Sequence, residues 1–200
     1  MAGEIDFLSF IGPVCPICGS VHCYRQISPY WRNAIELLPC FRKERIPVTR
    51  FLCRKEHTTF SLLPVQLIPY YQYTVQAIVA TLLLGLGCWN KGQRGFHGAS
   101  AEVDQESLVT PWLVAWWLVV IVRGLKRAHA VLGQVRDLSK VRSAAGSTVA
   151  WAEVGSYFLA FGYCSQPPWQ MRLQELLNRY SRSTRQFLFG IPSHHRAGAG

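Results

Sequence analysis

Acidic residues are scarce in this chain of 200 residues: 11 Asp and Glu stand against 21 Lys and Arg, a formal net charge of +10. The scarcity bears first on catalysis. A metal-dependent nuclease or transposase gathers several carboxylates around Mg²⁺, and here the acids are few and scattered. Glu102, Asp104 and Glu106 lie close in sequence, but in a Gly-rich stretch with no strand beside them, the setting of a solvated turn or a helix start. Serine and cysteine nucleophiles have no motif around them, and His194-His195-Arg196 lies in a terminal run with no tyrosine nucleophile after it. Internal repeats and long low-complexity segments are lacking too. The first ten residues have no basic segment leading to an apolar run and a small-residue cleavage site, so a secretory leader is not expected. These absences favour a binding protein over an enzyme. The positive excess selects a class of partner, nucleic acid or an anionic membrane face, and says nothing of fold.

Cysteine is plentiful by contrast. Seven residues, an odd number that includes a Cys-x2-Cys pair, fit metal-bound and free thiols in a reducing compartment better than a disulfide framework. Cys15-Pro16-Ile17-Cys18-Gly19 has a mechanical meaning: thiolates two residues apart can grip one Zn²⁺, and Gly19 supplies a backbone position without the steric cost of a β-carbon. Such a knuckle needs a second half. The best candidate is Cys53-Arg54-Lys55-Glu56-His57, which offers Cys53 and His57 at Cys-x3-His spacing. Imidazole is a commoner structural zinc ligand than carboxylate, so the expected set is Cys15, Cys18, Cys53 and His57. Glu56, His22, Cys23 and Cys40 are the less favoured candidates for the fourth place. A zinc here is structural: the segment has few apolar residues, and metal binding contributes roughly 10 kcal/mol or more to the folding of such units.

Along the chain, Val21 to Gln26 and Pro47 to Leu52 read as short strands, with Pro29 to Arg45 as a long excursion between them. Tyr70 to Leu86 is apolar at helical spacing after Pro69. Residues 90–107, punctuated by Gly92, Gly95 and Gly98, read as a loop with room for a short helix from Ala101 to Ser107. Thr110-Pro111 is a strong helix start, because the hydroxyl caps a free N–H and proline at the first position loses no hydrogen bond. The helix it opens should reach about Leu132, its first turns apolar all round and its end carrying Arg123, Lys126, Arg127 and His129. Further helices are expected over Ser147 to Gly162 and from Trp169 to about Leu188.

Four stretches carry a resemblance: Cys15-Pro16-Ile17-Cys18-Gly19-Ser20, Val48-Thr49-Arg50-Phe51-Leu52-Cys53, Thr59-Phe60-Ser61-Leu62-Leu63-Pro64 and Leu67-Ile68-Pro69-Tyr70. Together they resemble a family of bacterial zinc-ribbon proteins related to the N-terminal parts of insertion-sequence transposases and often linked with mobile elements. The family pattern has Cys-x2-Cys before the Thr-Phe-Ser-Leu-Leu-Pro stretch, and its second cysteine corresponds to Glu56 here. The likeness covers about residues 12 to 86. Beyond them it is limited to a tryptophan-rich helix after Thr110-Pro111 and the ending Phe187-Leu188-Phe189-Gly190-Ile191-Pro192-Ser193. It implies association with DNA in a mobile-element context, as a likeness of family.

Phosphate contact would fall to the basic residues of the ribbon, Arg25, Arg45, Arg50, Arg54 and Lys55, with Tyr24, Tyr30 and Trp31 among them. Arg172, Arg179 and Arg182, recurring on one face of the last helix, form a second candidate surface, and Glu175 is placed to pair with Arg179. A membrane competes for the apolar runs, since no charge occurs between Thr58 and Asn90 or between Ser107 and Val122. Two spans there would leave both basic ends on one side. The second run is short of the roughly 20 residues a span needs and has Pro111 near its start, and the first is broken by Pro64 and Pro69, so buried helices are the expectation. The sequence therefore predicts an α+β protein: a small N-terminal zinc ribbon over residues 1–63, a mainly α-helical domain over 64–190 and a flexible tail over 191–200. Its expected role is that of a cytoplasmic, nucleoid-associated, non-catalytic DNA-binding accessory or regulatory protein of a mobile element, acting in transposition or integration. Its expected partners are structural Zn²⁺, DNA and, second to these, another protein of the element. A protein-interaction zinc module and a two-helix membrane protein with basic cytoplasmic ends are the competing readings.

Overall fold

A computed structural model of the chain describes residues 11–103, 105–134, 136–141, 147–162, 169–184 and 186–189. The architecture is mixed α and β. Three strands, β1 (Tyr24–Glu36), β2 (Arg42–Cys53) and β3 (Thr59–Leu62), form one sheet in that order. Helices follow: α1 (Val75–Asn90), α2 (Gly95–Glu102), a 3-10 turn over Gln105–Ser107, α3 (Pro111–Gly133), α4 (Ser147–Ala160) and α5 (Trp169–Thr184). The chain divides into two compact units, one of Met1–Asn33 with Arg45–Pro64 and the other of Ala34–Glu44 with Val65–Gly200. The end of the β1/β2 hairpin, assigned by sequence to the first module, thus belongs to the second unit. The expected tail 191–200 lies outside the described residues.

The expected excursion between two short strands is instead continuous strand on both sides of a hairpin. Pro29 suggested a break, but β1 is an edge strand, the place where a sheet admits proline. Pro47 is tolerated for a related reason. β3 pairs with β2 antiparallel only from Thr49↔Leu62 to Leu52↔Thr59, so Pro47 lies beyond the doubly paired part of β2. The first unit has little core. Cys15, Val48, Phe51 and Cys53 are its buried apolar side chains among the described residues. Around Phe51 pack Tyr24, edge-on at 5.8 Å, and Phe60, stacked at 5.4 Å.

The second unit holds the main core. Ile35 in the hairpin end donates its N–H to Gln72 O at 2.9 Å and accepts from Thr74 N at 3.1 Å, and Leu37 beyond it is 1% exposed. Helix α1 starts at Val75, later than the expected Tyr70, because the Thr74 hydroxyl caps it by accepting from Ala77 N at 3.0 Å. It also runs on to Asn90, past the expected end at Leu86. Gly85 and Gly95 serve close packing there: a β-carbon on Gly95 would stand 2.9 Å from the Gly85 carbonyl oxygen and 3.0 Å from the Trp151 ring. That close approach packs a helix, α2, against α1 where the glycines suggested a loop, and α2 lies earlier than the expected short helix at Ala101.

Helix α3 keeps its expected start, with Thr110 Oγ1 accepting from Leu113 N at 3.2 Å. Val114, Trp117, Leu118, Ile121, Leu125, Ala128 and Leu132 face the core, the i, i+3, i+4, i+7 recurrence of a buried stripe. Its first turns, apolar all round, are not buried all round: Trp112 and Trp116 are 73% and 41% exposed. Their rings stack at 6.4 Å, and Trp116 Nε1 donates to the Tyr71 hydroxyl at 2.7 Å. Helices α4 and α5 end at Ala160 and Thr184, short of the expected Gly162 and Leu188. No helix among the described residues is long and apolar enough to cross a membrane.

Candidate metal centre

The loop before β1 folds back on itself. Val14 and Val21 form an antiparallel bridge, Cys15 N donates to Ser20 O at 3.0 Å, and Gly19 N donates to Cys15 O at 2.9 Å. Closing so tight a loop needs a left-handed backbone, which Gly19 provides at φ +68° without steric cost. The Tyr24 hydroxyl donates to Gly12 O and ties the start of the loop to β1. The second knuckle lies in the β2–β3 connection, where Cys53 N donates to Thr58 O at 2.9 Å and Glu56 N donates to Cys53 Sγ at 3.4 Å. Arg54 N donates to Cys23 O at 2.9 Å, so strand pairing sets Cys23 beside the second knuckle.

Four thiols meet as a result. The sulfur atoms of Cys15, Cys18, Cys23 and Cys53 all lie within 4.8 Å of one another. Cys18 and Cys23 are 3.1 Å apart, Cys18 and Cys53 3.6 Å, and Cys23 and Cys53 3.8 Å. These separations are far beyond a disulfide bond of about 2.05 Å. They fit a shared cation: sulfurs about 2.3 Å from one tetrahedral zinc stand about 3.8 Å apart. Cys15 and Cys53 are buried at 1% and 0% exposure, while Cys18 and Cys23 are half-buried. Electrostatics agree with the geometry. A hydrogen bond from the Cys23 thiol, and after it the Ser20 backbone, lowers the Cys18 thiol to about 6. The same contact, with burial next, pushes Cys23 well above the ordinary thiol range. One thiolate forms readily and the next is opposed, an opposition that a central cation would remove. The donor set thus suits a soft, tetrahedral ion held in a closed site.

The expected fourth ligand was His57, and the group takes Cys23 instead. His57 is exposed, with φ +50°, at the end of the turn that brings Thr58 to Cys53, and it is not one of the group. The remaining candidate ligands also stand outside it: His22 is exposed at φ +53°, Glu56 is exposed, and Cys40 is exposed at the hairpin end in the second unit. Cys23 was legible only as a less favoured candidate for the fourth place, inside the expected strand from Val21 to Gln26. Its proximity comes from pairing with a segment 30 residues away.

The expected DNA-contact residues separate into two sets. In the first unit Arg25, Arg45, Arg54 and Lys55 are exposed and Arg50 is half-buried. Arg45 Cζ stands 5.8 Å from the Trp31 ring centroid, and Arg50 Cζ 5.8 Å from that of Tyr30. Lys55 Nζ donates to Ser20 Oγ at 2.8 Å, across the two knuckles. On α5 the arginines are more engaged: Arg172 Nη1 donates to Gly162 O at 3.2 Å, and Arg179 pairs with Glu175 at 3.2 Å, the spacing expected from sequence. Arg179 and Arg182 border a shallow groove floored by Leu132, Leu176 and Tyr180. Glu102 ends α2 and Glu106 lies in the 3-10 turn, while Asp104 lies outside the described residues.

A buried polar pair in the second unit had no sequence signal strong enough to find it. Glu153 on α4 is 2% exposed and receives Lys126 Nζ of α3 at 3.1 Å. One turn along, His129 Nδ1 and the Tyr157 hydroxyl are 2.8 Å apart. Comparison of the chain with family models, with curated proteins and with solved structures gave no match.

Proposed function

We propose that the first unit is a zinc-stapled DNA-binding module and that the chain acts as a non-catalytic accessory or regulatory protein of a mobile element, in transposition or integration. In this reading Cys15, Cys18, Cys23 and Cys53 hold one structural Zn²⁺, and the protein works at the nucleoid. The supporting observation is the charge of the unit that carries the thiols. Within its described residues Arg25, Arg32, Arg45, Arg50, Arg54 and Lys55 are set against Glu56 alone. A sheet of this size with a minimal core has no need of so one-sided a surface for folding, and one-sided cationic charge is what phosphate neutralisation uses. The zinc would supply folding energy and no reaction chemistry, because four thiolates leave it no open coordination position. Arg179 and Arg182 would add a weaker contact, since Arg179 must give up Glu175 to make it.

The test is binding of labelled DNA, duplex and single-stranded, across a salt series. Phosphate contact requires log affinity to fall linearly with log salt, with a slope near −0.9 per phosphate on duplex. Charge reversal at Arg50 and Arg54 should weaken binding without loss of zinc. If neither DNA form binds at low salt while a partner protein co-purifies through the first unit, a protein-interaction module replaces this reading.

A further inference from the structure

We propose that the nucleic acid taken by the first unit is single-stranded, gripped along the middle of the β1/β2 hairpin by two aromatic–arginine pairs, Trp31 with Arg45 and Tyr30 with Arg50. The proposal rests on the DNA-binding reading above and names its substrate class. Trp31 is 58% exposed and Tyr30 36%. Neither is needed by the core of the unit, whose aromatic packing is made by Tyr24, Phe51 and Phe60 among themselves. Successive residues of a strand project to opposite faces, so the hairpin carries one pair on each side. Both aromatics stand on β1, the edge strand of the sheet. A flexible strand crossing that edge can stack a base on each ring while its phosphates meet Arg45 and Arg50. Stiff duplex cannot, because its bases are already stacked and offer no open face.

A hairpin can also read duplex DNA by entering the major groove, and a tip-first entry needs a free tip. Here the tip is committed elsewhere: Ile35 and Leu37 are buried, and Ile35 is bonded through both backbone groups to Gln72 and Thr74. What remains for a ligand is the flank of the hairpin, with large exposed rings and cations within cation–π distance of them. That combination is the stacking platform of sequence-tolerant single-strand binders.

The test uses the full chain purified with its metal. Anisotropy titrations compare a labelled oligo-dT strand with a labelled duplex of mixed sequence at the same salt. Tighter binding of the single strand by tenfold or more is expected. Trp31→Ala and Tyr30→Ala should each weaken single-strand binding about tenfold, the usual cost of one lost stacking contact, and change duplex binding less than twofold. Trp31→Phe should keep most of the affinity. Zinc content and far-UV circular dichroism verify that the variants fold, as exposed positions predict. Duplex bound as tightly as the single strand, or single-strand binding indifferent to both alanine variants, overturns this inference and leaves the DNA-binding reading standing. Binding of neither form at low salt removes both.

Discussion

Replacing Cys23 by serine separates the thiol cluster from the ligand set that spacing alone suggested. The sulfur of Cys23 lies 3.1 Å from that of Cys18 and 3.8 Å from that of Cys53, a corner of the group in contact with both knuckles. Structural zinc binding is worth about 10–16 kcal/mol in small modules. Shared over four thiolates, that is about 3–4 kcal/mol each, so one lost ligand should lower zinc affinity by about 10²–10³-fold. Serine leaves the volume of the site almost unchanged and offers only a hard, protonated oxygen, so the loss reports ligation rather than packing. The assay is zinc content of protein purified without added metal, followed by competition with a chromogenic chelator. Cys15→Ser, Cys18→Ser and Cys53→Ser should behave as Cys23→Ser does, whereas His57→Ala should stay within twofold of wild type. Wild-type zinc affinity in Cys23→Ser, or a loss in His57→Ala as large as in Cys15→Ser, would refute the four-thiol assignment.

Three further outcomes follow from the same geometry. Stripping zinc with a strong chelator should unfold the first unit and leave the helices, so near-UV signal from Tyr24 should change while the 222 nm ellipticity of the helical unit largely persists; full retention of protease resistance in Tyr24–Leu62 would count against a metal staple. Lys126→Met leaves the buried Glu153 carboxylate without its cation and should cost about 3 kcal/mol, the low end for a broken buried pair because Lys126 is 41% exposed; in urea denaturation Lys126→Met/Glu153→Leu should recover most of that loss, and a single variant as stable as wild type would show the pair to be inert. Burial raises the Glu36 carboxyl above its ordinary value of 4.5, outweighing the hydrogen bond to Thr74. The folded state therefore holds that proton more tightly than the unfolded chain, and wild type loses stability as pH climbs from the ordinary carboxyl value through the raised one. Glu36→Gln should be the more stable protein at pH 7 and equal to wild type below about pH 4, as thermal melts across that range would show; an unchanged difference across it would mean that Glu36 ionises freely.

Local chemistry settled a good part of this protein in advance. Thr110 and Pro111 fixed the start of α3, because a cap and a missing N–H act within one turn of the chain. Cys15, Cys18 and Gly19 marked a tight loop with two thiols placed to share a metal, since thiols three positions apart and a left-handed glycine meet without help from anywhere else. The Glu175–Arg179 pair followed from helical spacing in the same way. Proline and glycine misled where their role was not local: Pro29 and Pro47 lie inside strands at positions the sheet leaves unpaired on one side, and Gly95 opens a helix whose close packing against Gly85 and Trp151 leaves no room for a β-carbon. The tertiary structure alone decided the fourth thiol. Cys23 and His57 were both within reach of the cluster by counting along the chain, and a ligand is chosen by position in space. The pairing of Cys23 with Arg54, and the turn that leaves His57 exposed, fixed those positions. The same holds for the hairpin: its charge was legible in the sequence, but the pairing of Trp31 with Arg45 and of Tyr30 with Arg50 exists only because two consecutive strands fold back beside each other, where the sequence suggested an excursion.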